Sequence, residues 1–149
     1  MGEWLLDWRI QQEVEAVRID ANSDFAALAL PIPGERRMMW RYIAGSRDLR
    51  ILQMKIVPGV GMAGMVLRHG TPWLGTGGEH GGRMDCPVMI AEKLNTAIAF
   101  PMGPEGSRSI EGVLLLGRRE GSLFEREHIK LLSERILQMT TVMDFEKQI

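Results

Sequence analysis

Apolar and polar positions follow a helical period at both ends of the chain and a strand-like pattern between them. Ile10, Val14, Val17 and Ala21 recur at spacings of four, three and four, with Gln11, Gln12, Glu13 and Glu15 between them. That places one apolar stripe on a helix over 2–21, which Asn22-Ser23-Asp24 ends. The apolar run 25–30, the turn Pro31-Ile32-Pro33-Gly34 and the run 38–44 (MMWRYIA) predict a β-hairpin. A short helix is expected at 48–54 and an extended segment at 55–57. A helix then follows the glycine turn after Pro58 and runs through Leu67. Gly70 stands at its C-cap, and Arg68 and His69 suit the negative end of its dipole. A short strand at 71–75 leads into 75–82, where five of eight residues are glycine and a mobile loop is expected. A short helix over 86–94, with Pro87 in its first turn, precedes strands at 97–102 and 110–117 joined by a turn at 103–107. Ser122-Leu123-Phe124-Glu125 matches a capping box. In the final helix Ile129, Leu132, Ile136, Met139 and Met143 form a seam spaced three, four, three and four, which Leu131 and Leu137 widen. This order predicts an α+β domain, a central antiparallel sheet with helices on its faces.

Composition narrows the class. The chain has 149 residues, 45% hydrophobic and 25% charged, with net charge -1, as expected of a single soluble domain over 1–149. Cys86 is its one cysteine, so no intrachain disulfide forms, and a reducing, cytoplasmic setting is expected. No apolar run approaches the roughly 18 residues of a membrane span, and the start of the chain does not read as a secretion signal. The balanced charge argues against a dedicated nucleic-acid binder.

The stretch Pro58-Gly59-Val60-Gly61-Met62-Ala63-Gly64 is the most informative chemically. The first amides of a helix lack intrahelical acceptors, and the dipole places roughly half a positive charge there. Glycines before such a start let a small anion approach the backbone. Trp40 adds an indole N–H that only donates, and Met62, Met65, Met89 and Ile90 are candidates for apolar walls. The plainer alternative is a tight turn whose amides bind water, with Trp40 in the core. Glu79, His80, Asp85 and Cys86 match no common zinc spacing. Cys86 as a nucleophile needs a base and an orienter that spacing cannot show. Arg36, Arg37 and Arg41 read as a solvated face, His69 and His128 as surface residues. Trp4 and Trp8, one turn apart, call for a contact that covers them, and the terminal helices have the pattern to pair with a second copy or a partner helix.

The chain resembles the GAF domain family. The residues that carry the resemblance are Pro58 to Gly64 with Val66-Leu67 and the following Pro72. They continue with Ala97-Ile98-Ala99-Phe100-Pro101-Met102, Glu111-Gly112-Val113-Leu114-Leu115-Leu116, Phe124 and Glu127-His128-Ile129-Lys130-Leu131-Leu132. Within that family the spacing of Trp40 from Met62-Ala63 is similar to the single-domain nitrate receptors of NreA type. The resemblance implies a GAF fold with its N- and C-terminal helices packed together. It also implies a closed pocket for nitrate or a similar small anion at Trp40, Met62, Ala63 and the stretch from Pro87 through Met89, Ile90 and Ala91. It implies no catalytic residue, metal or cofactor, and an output through contact with a sensor histidine kinase. Independently of the resemblance, the glycine-rich loop 75–82 is a candidate lid over the pocket. A homodimer is compatible with it. Two other uses of the fold stay open: a redox enzyme acting through Cys86, and a module that binds another small ligand or only dimerises. Reductases of this fold use several cysteines, bilin attachment favours a residue other than Pro87 after the cysteine, and the cyclic-nucleotide signature is absent.

Overall fold

Phe25–Pro31 (β1) lies in the middle of a six-stranded sheet because its side chains are apolar on both faces. The structure is a computed structural model. It describes residues 2–35, 37–76, 86–103, 109–121 and 123–148, with side chains from 5 to 143 within those ranges. The other strands are Met38–Ala44 (β2), Lys55–Ile56 (β3), Trp73–Thr76 (β4), Thr96–Met102 (β5) and Gly112–Arg118 (β6). They line up as β3-β2-β1-β6-β5-β4, and every neighbouring pair is antiparallel. The α+β architecture with helices on both sheet faces is therefore present.

Alternation divides the core in two. Ala26, Leu28, Ile98, Phe100, Leu114 and Leu116 point to one face. Phe25, Ala27, Ala29, Ala97, Ala99, Val113 and Leu115 point to the other. The central strands read as unbroken apolar runs because both faces are covered. On the first face lie the helices Gly2–Asp20 (α1) and Arg126–Gln148 (α4). Ile10, Val14, Val17 and Ala21 pack there with Leu132, Ile136, Met139 and Met143, so the seam of α4 is spent inside the domain. Arg135 joins the two helices, donating to Glu13 at 3.2 Å and Asp20 at 3.1 Å. The terminal helices thus pack together. The second face carries a single-turn 3₁₀ helix at Leu49–Gln53 and the helices Gly61–His69 (α2) and Pro87–Ala91 (α3).

Several local expectations are corrected. The helix expected over 86–94 stops at Ala91, because Glu92 turns its carboxylate to another segment and Lys93 takes φ 55°. The strand expected at 71–75 lies at Trp73–Thr76. The capping box fails: α4 begins at Arg126 and the Ile129 N–H donates to the Glu125 carbonyl at 2.8 Å, so Glu125 holds the cap position instead of the third helical one. Leu131 and Leu137 do not widen the buried face; they are 63% and 41% exposed. Ser122, Arg36, the side chain of Trp4, most of the turn 103–107, the loop 75–82 from residue 77 onward, and Glu79, His80 and Asp85 lie outside the described residues.

One irregularity determines what faces the second core. The β1–β2 register shifts between Leu28 and Ala29: Leu28 pairs with Tyr42 and Ala29 with Trp40, leaving Arg41 as a bulge. Strict alternation would put Trp40 and Tyr42 on one face. The bulge instead sends Met38 and Trp40 to the α2 face and Tyr42 and Ala44 to the α1 face. Tyr42 donates its hydroxyl to Asp7 of α1, and Arg41 reaches the same carboxylate at 3.5 Å. Burial first, and the bond to Asp7 second, push the Tyr42 phenol up to about 12. A phenol whose pKa is raised by folding contributes stability below its ordinary value of 10 and loses it as pH climbs toward 12. Urea-unfolding midpoints measured from pH 9 to 12 are expected to fall more steeply in wild type than in Tyr42→Phe; parallel curves would refute the linkage.

Candidate functional site

The turn into α2 is built by glycines and left open. Gly59 and Gly61 have φ of 83° and 69°, left-handed values that favour glycine. The Gly59 N–H donates to the Gly64 carbonyl at 2.8 Å and the Val60 N–H to the Val57 carbonyl at 3.0 Å. A β-carbon on Gly64 would lie 2.3 Å from the Val57 carbonyl oxygen, so a glycine there lets the chain fold back onto its own helix. The N-cap is Val60, which has no side-chain acceptor, and the first turn holds no acid. The amides of Gly61, Met62 and Ala63 therefore begin an uncapped helix of nine residues, with its positive dipole end directed at whatever lies before them.

A cavity of about 30 Å³ lies at that point, with Ala63 and Gly61 on one side, Trp40 and Met54 on another, and Cys86, Pro87 and Val88 closing it from α3. Trp40 is 2% exposed, held on this face by the bulge, and its main-chain N–H donates to the Met54 carbonyl at 3.3 Å. Lys55, solvent-exposed on β3, also borders the cavity. A more open space of about 280 Å³ adjoins it and shares Gly61 and Cys86; Met62, Met65, Met89 and Trp73 line it. Trp73 stacks on His69 at 5.7 Å, and its buried indole N–H has no hydrogen-bond partner among the described residues.

Trp40, Ala63 and Pro87 thus meet at the small cavity, and Met62 and Met89 stand in the wall of the adjoining space. Ile90 does not join them. It is 56% exposed, and its N–H is engaged by the Cys86 carbonyl at 3.3 Å. Ala91 is half-buried against the same core and lines neither space. Within the stretch 87–91 it is Val88 that lines the small cavity beside Pro87. In α3 Val88 and Met89 are buried, Pro87 and Ile90 are exposed and Ala91 is half-buried. Cys86, a candidate nucleophile or ligand on sequence alone, is 3% exposed, and burial pushes its thiol up, away from the reactive thiolate. Among the described residues no group of three metal-ligating side chains occurs.

No family model matches the chain, and no curated protein does. Solved structures do. A GAF domain/HD domain protein from Geobacter sulfurreducens superimposes with TM-score 0.74 over 97% of this chain and 95% of that one, at 14% identity. The chain has the GAF fold. It is also similar, at 26% identity and TM-score 0.69 over 84% of this chain and 98% of the other, to the Staphylococcus aureus protein NreA, solved with its nitrate-binding site mutated. A type II free methionine-R-sulfoxide reductase from Thermoplasma acidophilum shares the fold at 12% identity and TM-score 0.68, over 93% of this chain and 94% of that one. The resemblance that the sequence carries thus holds at the level of the fold and extends to NreA.

Proposed function

We propose that this chain is a receptor for nitrate or a similar small anion, and that the ion sits in the cavity between Trp40, Ala63 and Pro87. The observation that carries the reading is the coincidence of an uncapped helix start, the Trp40 side chain and a small chamber at one point. About 10–15 Å³ suffices for a water molecule, so a space of about 30 Å³ suits an ion of a few atoms and not a nucleotide or a tetrapyrrole. Nitrate only accepts hydrogen bonds and sheds its hydration easily. Main-chain amides and one indole satisfy it without a buried cation. A strongly hydrated anion such as sulfate loses more on entering. The similarity to NreA supports the same assignment.

Calorimetric titration with nitrate, chloride, sulfate and phosphate tests this. Nitrate is expected to bind and sulfate and phosphate to fail; equal binding of all four contradicts the reading. Trp40→Phe keeps the ring and removes the donor. It is expected to weaken nitrate roughly ten- to hundred-fold, the worth of one hydrogen bond to a charged group. An unchanged affinity would place the ion away from Trp40.

The signal then passes by protein contact, with a cytoplasmic sensor histidine kinase as the partner class. Nitrate favours one arrangement of the site and the helices around it, and the partner binds that state better. Support comes from the exposed apolar residues of the terminal helices: Leu5 and Trp8 on α1 are 47% and 55% exposed, and Leu131 and Leu137 on α4 are also in water. An enzymatic role through Cys86 is disfavoured by its burial and by the lack of a second cysteine in the chain.

A further inference from the structure

We propose that Glu92 is a positioning residue that sets the width of the anion cavity, an inference that rests on the receptor reading above. Glu92 follows α3 directly, and its N–H donates to the carbonyl of Val88, a wall residue, at 2.9 Å. The residue is 1% exposed, yet its carboxylate is fully engaged. It accepts from the Ser46 hydroxyl at 2.5 Å, from the Arg47 N–H at 2.9 Å and from the Asp48 N–H at 3.1 Å. The Arg119 guanidinium forms an ion pair with it and donates as well to the Glu92 carbonyl at 3.0 Å and the Gly45 carbonyl at 3.0 Å.

These bonds join the two walls. Residues 45–48 continue directly from β2, which carries Trp40, and lead through the 3₁₀ helix to Met54, which is hydrogen-bonded to Trp40 and borders the cavity. The opposite wall, Pro87 and Val88, belongs to α3. Glu92 ties the end of one wall to the base of the other, so its bond lengths set the gap into which the ion must fit. A buried carboxylate is a poor way to gain stability alone, since well-packed apolar groups generally do as well. A carboxylate held by four separate donors, three of them on one loop, fixes distance and direction, which apolar contact does not.

The test compares two anions in one experiment. Nitrate and the larger perchlorate are titrated into wild type and into Glu92→Gln, which keeps the shape of the side chain but removes its charge and one acceptor. Both proteins are first shown to be folded by circular dichroism. Nitrate affinity is expected to fall about ten-fold in the variant and perchlorate affinity much less, so the ratio of the two shifts. Partial unfolding lowers both equally and leaves the ratio alone. Should Glu92→Gln not fold, Ser46→Ala removes one donor and keeps the ion pair; it is expected to shift the ratio the same way, and Ser46→Thr to restore it. An unchanged ratio in the folded variants overturns the positioning role alone. Wild-type protein that binds neither anion overturns the receptor reading and this inference with it.

Discussion

Gly64→Ala is expected to destabilise the protein by about 3 kcal/mol and to abolish nitrate binding, although alanine is the better helix former. At an unhindered helical position the change would stabilise by up to about 1 kcal/mol. Here the new β-carbon would stand 2.3 Å from the Val57 carbonyl oxygen and 3.2 Å from the Gly59 nitrogen. Both neighbours are backbone, so no rotamer change relieves the overlap, and the cost lies at or above the upper end of core overpacking, about 1–3 kcal/mol. Relief requires opening the turn that the bond from the Gly59 N–H to the Gly64 carbonyl closes. That displaces Gly61 and the amides after it, which are the proposed anion donors. Urea unfolding and nitrate calorimetry on the same sample check both parts. A variant as stable as wild type that still binds nitrate would show that the turn is not required in this form.

Ala63→Leu is expected to raise the nitrate Kd at least about hundred-fold while the fold survives. Leucine is a good helix former, and Ala63, at 6% exposed, lies in the first turn of α2 and lines the cavity. Three added carbons fill a space of about 30 Å³ at the place where the ion would lie. The main-chain N–H remains but nothing can reach it. Ala63→Gly keeps that N–H and empties the space; it is expected to bind nitrate with only a modest loss, from the lower helix propensity of glycine, about 1 kcal/mol at most. The pair separates the role of the amide from that of the side chain. Wild-type affinity in Ala63→Leu would move the ion to the adjoining space between Met62, Met89 and Trp73.

Much of the architecture is readable from local signals. The stripe Ile10, Val14, Val17, Ala21 and the seam from Leu132 to Met143 are buried as their spacing requires, because a helix periodicity maps directly onto one packed face. Gly70 caps α2 with φ 71°, the left-handed turn that glycine supplies. The capping box misleads because Ser and Glu three apart fit equally well into the turn before a helix. Ile90 misleads because its apolar character says nothing of which side of a five-residue helix it takes. Glu92 gives no local signal at all. In an amphipathic reading of 86–94 it is one more polar residue, and the four groups that donate to its carboxylate come from residues 44 or more positions earlier and 27 later.

What the chain determines alone is what neighbouring residues settle among themselves: the helical and extended stretches, the glycine turn into α2, the uncapped start of that helix, and the lack of any second cysteine. The tertiary structure decides the rest. The register between β1 and β2 creates the bulge at Arg41 and turns Trp40 toward α2. The packing of α3 against the sheet selects Pro87 and Val88 over Ile90. The clamp at Glu92 spaces the two walls. Each of these depends on segments tens of residues apart meeting at fixed distances. Hydrophobic period carries no record of that distance, because burial is satisfied by many arrangements of the same elements.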